Sequence, residues 1–80
     1  RREARFPAGL VAAHLRVKQG CIQAVRFYGD FFGSGPLEEL EAAMAGLPLD
    51  AQLAEALAPL HVEHYMSGIT AEELTRLLRG

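Results

Sequence analysis

GLVAAHLRVKQGCIQAVRFY, residues 9–28, decides how this chain folds. Apolar residues take the odd positions Val11, Ala13, Leu15 and Val17, while His14, Arg16 and Lys18 take even ones. Alternate side chains of a strand point to opposite faces, so this run is a strand with one buried and one wet face. Gln19-Gly20 supplies the turn, since glycine accepts a positive φ at little cost. Beyond it, Val25 and Phe27 point one way and Arg26 and Tyr28 the other, which completes a hairpin. Ile22 is out of phase with Val25 and Phe27, and a β-bulge near the turn would correct it. A lone hairpin is marginal in water and needs a third strand or a helical cover. A short leading strand, about Arg2 to Phe6, is expected alongside, with Pro7 and Gly9 making the connection.

Downstream the period changes. Pro36 suits a first helical turn, where its missing N–H would have had no partner. Glu38 and Glu39 favour the positive end of the helix dipole. Leu37, Leu40, Met44 and Leu47 form the apolar stripe, and Gly46 is the stop. Asp50 is placed to cap a second helix carrying Leu53, Leu57 and Leu60, with Pro59 limiting it. Thr70-Ala-Glu-Glu73 is a capping box for the last helix, with Ile69 and Leu74 as a hydrophobic staple and Leu77 and Leu78 extending the face. The order is three strands, then three helices. Such segregation predicts an α+β fold: a three-stranded antiparallel sheet covered on one face by three helices, with residues 1–80 as one domain.

Composition limits what such a domain does. At 80 residues and a formal charge of −2, it shows no lysine/arginine stripe along the sequence, which sets nucleic acid aside as a partner. It has no apolar run near 18 residues, and neither a membrane partner nor a signal peptide is expected. The single cysteine, Cys21, cannot form an internal disulfide and points to a reducing, cytoplasmic setting.

GDFFGSG, residues 29–35, stands where the strand pattern gives way to the helical one. Asp30-Phe31-Phe32-Gly33 resembles the kinase Asp-Phe-Gly motif only superficially, because 80 residues leave no room for a nucleotide lobe and catalytic loop. Gly33-Ser34-Gly35 before a helix start could attract an anion, yet there is no Walker lysine and no parallel strand–loop–helix unit. The favoured reading is a tight turn, with Ser34 as a candidate cap and the phenylalanines plugging sheet to helix or meeting a partner. His61, Glu63 and His64 lack the four-residue spacing of helical metal ligands and read as loop residues, so no metal site is expected. Ser34 and Ser67 show no base and acid converging on them, and no catalytic residue is expected.

Arg5-Phe6-Pro7 with Gly9, Val17-Lys18-Gln19-Gly20-Cys21-Ile22 and Tyr28-Gly29-Asp30-Phe31-Phe32 together resemble the C-terminal accessory domain of bacterial and archaeal lipoate–protein ligases. Leu37-Glu38-Glu39-Leu40 with Ala45-Gly46, then Tyr65, Ser67-Gly68-Ile69-Thr70 and Glu72-Glu73-Leu74, extend the resemblance across nearly the whole chain. It implies a small α+β unit, similar in topology to sulfur-acceptor and iron–sulfur scaffold proteins. Such a unit packs on a larger catalytic domain, fused or separate. The complete ligase uses ATP, magnesium and lipoate to form lipoyl-adenylate, and then lipoylates a lysine of an acceptor protein. The family's catalytic lysine and Arg-Arg-Ser-Gly-Gly-Gly-type segment belong to the large domain and have no counterpart here. Arg1-Arg2 is followed by Glu3 and Ala4. No cofactor is expected on this chain, and no ligase activity is expected from it alone. Gly29, Asp30, Phe31, Phe32 and Gly33 are the candidate loop facing the catalytic domain. A sulfur acceptor using Cys21, and a free-standing interaction module, are the alternatives on the same kind of fold.

Overall fold

The computed structural model describes residues 1–80. Three strands form one antiparallel sheet in the order β1 (Arg2–Phe6), β2 (Gly9–Lys18), β3 (Cys21–Gly29). Pro7 and Ala8 turn the chain between the first two. Gln19 and Gly20 both adopt positive φ, 54° and 77°, the two-residue turn whose twist matches that of the flanking strands. The expected bulge is present. Arg16 faces Ala24 and Val17 faces Ile22, which leaves Gln23 as the extra residue. That single insertion brings Ile22 into phase with Val25 and Phe27, and all three are buried.

The helical layer covers one face only. Helix α1 (Leu37–Met44) lies on β3 and α4 (Ala71–Arg79) on β1, while α2 (Leu53–Leu57) packs on α4. Val11, Ala13, Val25 and Phe27 of the sheet meet Leu40 and Met44 of α1, Leu53 and Leu57 of α2, and Leu74, Leu77 and Leu78 of α4 in one core. Thr70 accepts a hydrogen bond from the Glu73 N–H, and Glu73 accepts one from the Thr70 N–H, both at 3.0 Å. Ile69 and Leu74 on either side of this capping box are fully buried, as a staple requires. Glu41 of α1 reaches the outer edge of β3 and accepts the Phe27 N–H at 2.8 Å, so part of that edge is closed to other strands. No helix is long and apolar enough to cross a membrane.

Some local expectations shift. A fourth helical segment, α3 (Val62–Tyr65), carries Glu63 and His64, which the sequence suggested were in a loop. The chain leaves α2 through a 3-10 turn (Ala58–Leu60), and His61 at φ 57° breaks the helix and restarts it in a new direction. Burial of Val62 and Met66 holds the new turn in place. Pro36 precedes α1 as its extended N-cap rather than standing within the first turn, and no side chain caps that helix. Asp50 acts two residues before the N-cap position, Gln52: its carbonyl accepts the Leu53 N–H and its carboxylate the Gln52 N–H. Val17 remains 46% exposed, because the hairpin tip extends past the helical layer. Leu47–Leu49 runs beside the start of β3, with Ile22 N–H donating to Leu47 at 2.8 Å and Leu49 N–H donating to Gly20 at 2.8 Å. The half-buried Cys21 is bridged to Pro48 on this side and pairs with Lys18 on the other.

Candidate functional site

The loop after β3 is fixed at three points. Gly29 ends the strand at φ 151°, and a Cβ there would collide with the Leu10 carbonyl, so only glycine lets the chain turn off β2. Asp30 then grips the start of β2. Its carboxylate accepts the Leu10 N–H at 2.6 Å while its own N–H donates to the Leu10 carbonyl at 3.2 Å. A charged acceptor on a backbone N–H is among the stronger hydrogen bonds. This clamp ties the exit of the sheet to its middle strand.

The next two residues divide the work. Phe31 is half-buried and packs against the core, whereas Phe32 is 82% exposed. No other large hydrophobic residue in the molecule is as exposed. Its backbone is nonetheless anchored: the Phe32 carbonyl accepts the Ser67 N–H at 2.6 Å. The third point follows at once. Ser34 N–H and Gly35 N–H both donate to the His64 carbonyl, at 2.8 and 3.1 Å. The peptide of Gly33 lies so close to the Tyr65 carbonyl that any side chain would overlap it. The Ser34 and Gly35 amides are therefore committed to closing the turn on α3, and Ser34 serves through its backbone rather than as a side-chain cap.

Tyr65 completes the support. Its hydroxyl donates to Glu39 Oε1 at 3.3 Å, bracing α3 against the first turn of α1. Its ring meets that of His64 edge-on, with centroids 4.9 Å apart. Desolvation, followed by the charge and hydrogen bond of Glu39, holds the Tyr65 phenol above the ordinary tyrosine value. The arrangement is a hydrogen-bonded cradle that presents one phenyl ring to solvent. An exposed aromatic on an anchored backbone costs little backbone entropy when a partner covers it.

All five predicted loop residues, Gly29 to Gly33, fall within this one feature. The structure separates their roles: Gly29 and Gly33 permit close approach, Asp30 clamps, Phe31 packs and Phe32 projects. In the sequence, His64 and Ser67 stand out only as a candidate metal ligand and a candidate nucleophile, and Tyr65 only as part of the resemblance, none of them as a support of this loop. They lie some thirty residues downstream, and no local pattern announces that their backbone holds the loop.

Comparison with known proteins identifies the family of the whole chain. Residues 1–78 match the family model described as bacterial lipoate protein ligase C-terminus. The lipoate–protein ligase of Streptococcus pyogenes is 40% identical over 78 residues, covering 96% of this chain and 23% of that protein. Lipoate-protein ligase LplJ of Bacillus subtilis is 35% identical over 75 residues, covering 92% and 23%. The chain thus spans about a quarter of the length of these relatives. Among solved structures, a chain of the Thermoplasma acidophilum lipoylation system, a bi-partite lipoate protein ligase and its E2 lipoyl domain, superposes with a TM-score of 0.80. It is 18% identical, and the match covers 99% of this chain and 92% of that one. With fold, coverage and identity in agreement, the chain belongs to the bacterial lipoate protein ligase C-terminus family.

Proposed function

We propose that this chain is the non-catalytic accessory domain of a lipoate–protein ligase, and that it supports ATP-dependent formation of lipoyl-adenylate by docking the Phe32 loop on the catalytic domain. The observation that carries the reading is Phe32 itself: 82% exposed on a backbone fastened to β2 through Asp30 and to the 64–67 segment through Phe32, Ser34 and Gly35. Leaving such a ring in water costs roughly 1.5–3 kcal/mol relative to burying it, and a partner surface recovers that. In this reading ATP, magnesium and lipoate bind the catalytic domain, in the same cytoplasmic compartment, and lipoyl acceptor proteins meet the complete ligase. This domain's contribution is to close over the reacting groups and exclude water, which strengthens the electrostatic contacts inside.

A photo-crosslinking residue at position 32 tests the contact. Mixed or fused with the catalytic domain in the presence of ATP and lipoate, it should crosslink to that domain. The same residue at position 17, on the exposed hairpin tip, should not. Equal crosslinking from both positions, or none from position 32, would overturn the docking assignment.

A further inference from the structure

The sheet face that the helices leave bare is strongly cationic. Arg5 of β1, Arg16 and Lys18 of β2 and Arg26 of β3 all stand on it, and all four are exposed. Along the sequence they look scattered; the pairing register gathers them. His14 lies directly across from Arg26, and Arg16 across from Ala24, so Arg16 and Arg26 are diagonal neighbours about 7–8 Å apart. The small Ala24 beside the bulge leaves a concavity of about 410 Å³ between them. Tyr28, 52% exposed, meets the His14 ring edge-on at 5.2 Å.

None of these four cations has an anionic partner. The one ion pair in the molecule joins Arg1 to Glu3 at 3.4 Å. Glu3 of β1 shares this face with Arg5 and pairs with Arg1, while the carboxylates of the helices lie elsewhere: Glu38, Glu39 and Glu41 on α1, Glu55 on α2, Glu63 on α3 and Glu72 on α4. A chain of net charge −2 is therefore polarised, with a positive sheet face and a negative helical layer. Like charges set side by side raise the energy of the folded state, and an outside anionic surface would relieve them.

We infer that the bare sheet face is a docking surface for a protein patch of clustered carboxylates, with Arg16 and Arg26 as its centre. Guanidinium groups accept carboxylates in bidentate pairs, and the concavity between the two arginines has room for an incoming acidic side chain. A folded partner seated on Arg16 and Arg26 meets a mainly positive field, with Glu38 and Glu41 of α1 at its margin beside Arg26; at physiological salt the screening length is about 8 Å, so the far side of a domain at least 20 Å across contributes little. Nucleic acid fits less well. A domain that reads a long polyanion carries a basic excess overall, whereas this one has a pI of about 5.9. The inference is independent of the Phe32 contact, which lies outside this set of side chains.

The test is fluorescence anisotropy with an oligoglutamate peptide and, in parallel, a short DNA duplex of equal charge. Peptide binding should weaken steeply between about 50 and 200 mM salt and fall at least about tenfold in the Arg16→Glu/Arg26→Glu variant. The Arg76→Glu/Arg79→Glu variant, altered on α4, should bind like the parent. The milder Arg16→Gln/Arg26→Gln variant should also lose binding while melting at or above the parent temperature, because it removes repulsion without reversing charge. Undiminished binding by either Arg16/Arg26 variant, an equal loss in the α4 variant, or a melting temperature lowered by Arg16→Gln/Arg26→Gln would overturn the proposal. Tighter, Arg16/Arg26-dependent binding of the duplex would overturn it in favour of nucleic acid.

Discussion

Replacing Phe32 with alanine separates the proposed docking role from any structural one. A phenylalanine ring contributes on the order of 200 Å², and 82% of this residue's surface is open to solvent. Complete cover by a partner would remove about 160 Å² from water, a ceiling near 4 kcal/mol at about 25 cal/mol per Å². Ordering costs and imperfect fit lower this to about 2 kcal/mol, typical of a central interface aromatic, or about thirtyfold in affinity. Within the folded domain the same ring touches little, so stability should change by no more than about 0.5 kcal/mol. ATP–pyrophosphate exchange with the catalytic domain, at a chain concentration below saturation, should fall by roughly that thirtyfold factor, with the melting temperature held. Full exchange activity in the variant would refute the reasoning, and so would a loss that tracks a collapse in melting temperature. Phe31→Ala is the internal control: its half-buried ring packs on the core, so its loss should appear first in stability, by about 2 kcal/mol.

Three further substitutions probe the cradle. Gly33→Ala places a methyl group against the Tyr65 carbonyl, and should cost about 2 kcal/mol or more in denaturant unfolding while weakening exchange through the displaced loop; a neutral result would mean the approach is not close in solution. Asp30→Ala leaves the Leu10 N–H without its carboxylate acceptor and should cost about 1–2 kcal/mol, with faster hydrogen exchange at Leu10 and unchanged protection in α4. Tyr65 binds its proton more tightly in the folded state than an ordinary tyrosine. Its contribution is therefore complete below the unfolded pKa, 10.0, and is lost as pH rises through the folded value. Melting temperatures taken on the alkaline side should fall less steeply for Tyr65→Phe than for the parent, and parallel curves would contradict the Glu39 contact.

How much of this was legible in the sequence depends on the distance over which each feature is built. The hairpin is local: alternation from Val11 to Val17, a Gln19-Gly20 turn and the phase slip at Ile22 define strands, turn and bulge within about twenty residues. The capping box at Thr70 is equally local, and it stands as read. His61 could not be read, because a left-handed residue between two short helices answers to the burial of Val62 and Met66 rather than to its own neighbours. The same holds for the candidate site. GDFFGSG marks a turn on its own evidence, but which phenylalanine packs and which projects is decided by α3 and residues 64–67, which reach the loop only in the folded state. The cationic face is the clearest case. Its four members sit on three strands, so a search for a stripe along the chain passes over them, and only the register places Arg16 beside Arg26.

The most direct test of the account is adenylate formation in three mixtures: the ligase catalytic domain alone, this chain alone, and the two together, each with ATP, magnesium and lipoate. Little lipoyl-adenylate should form from either single component, and formation should be robust when both are present. A catalytic domain that makes adenylate equally fast without this chain, or a chain that makes it unaided, would contradict the account.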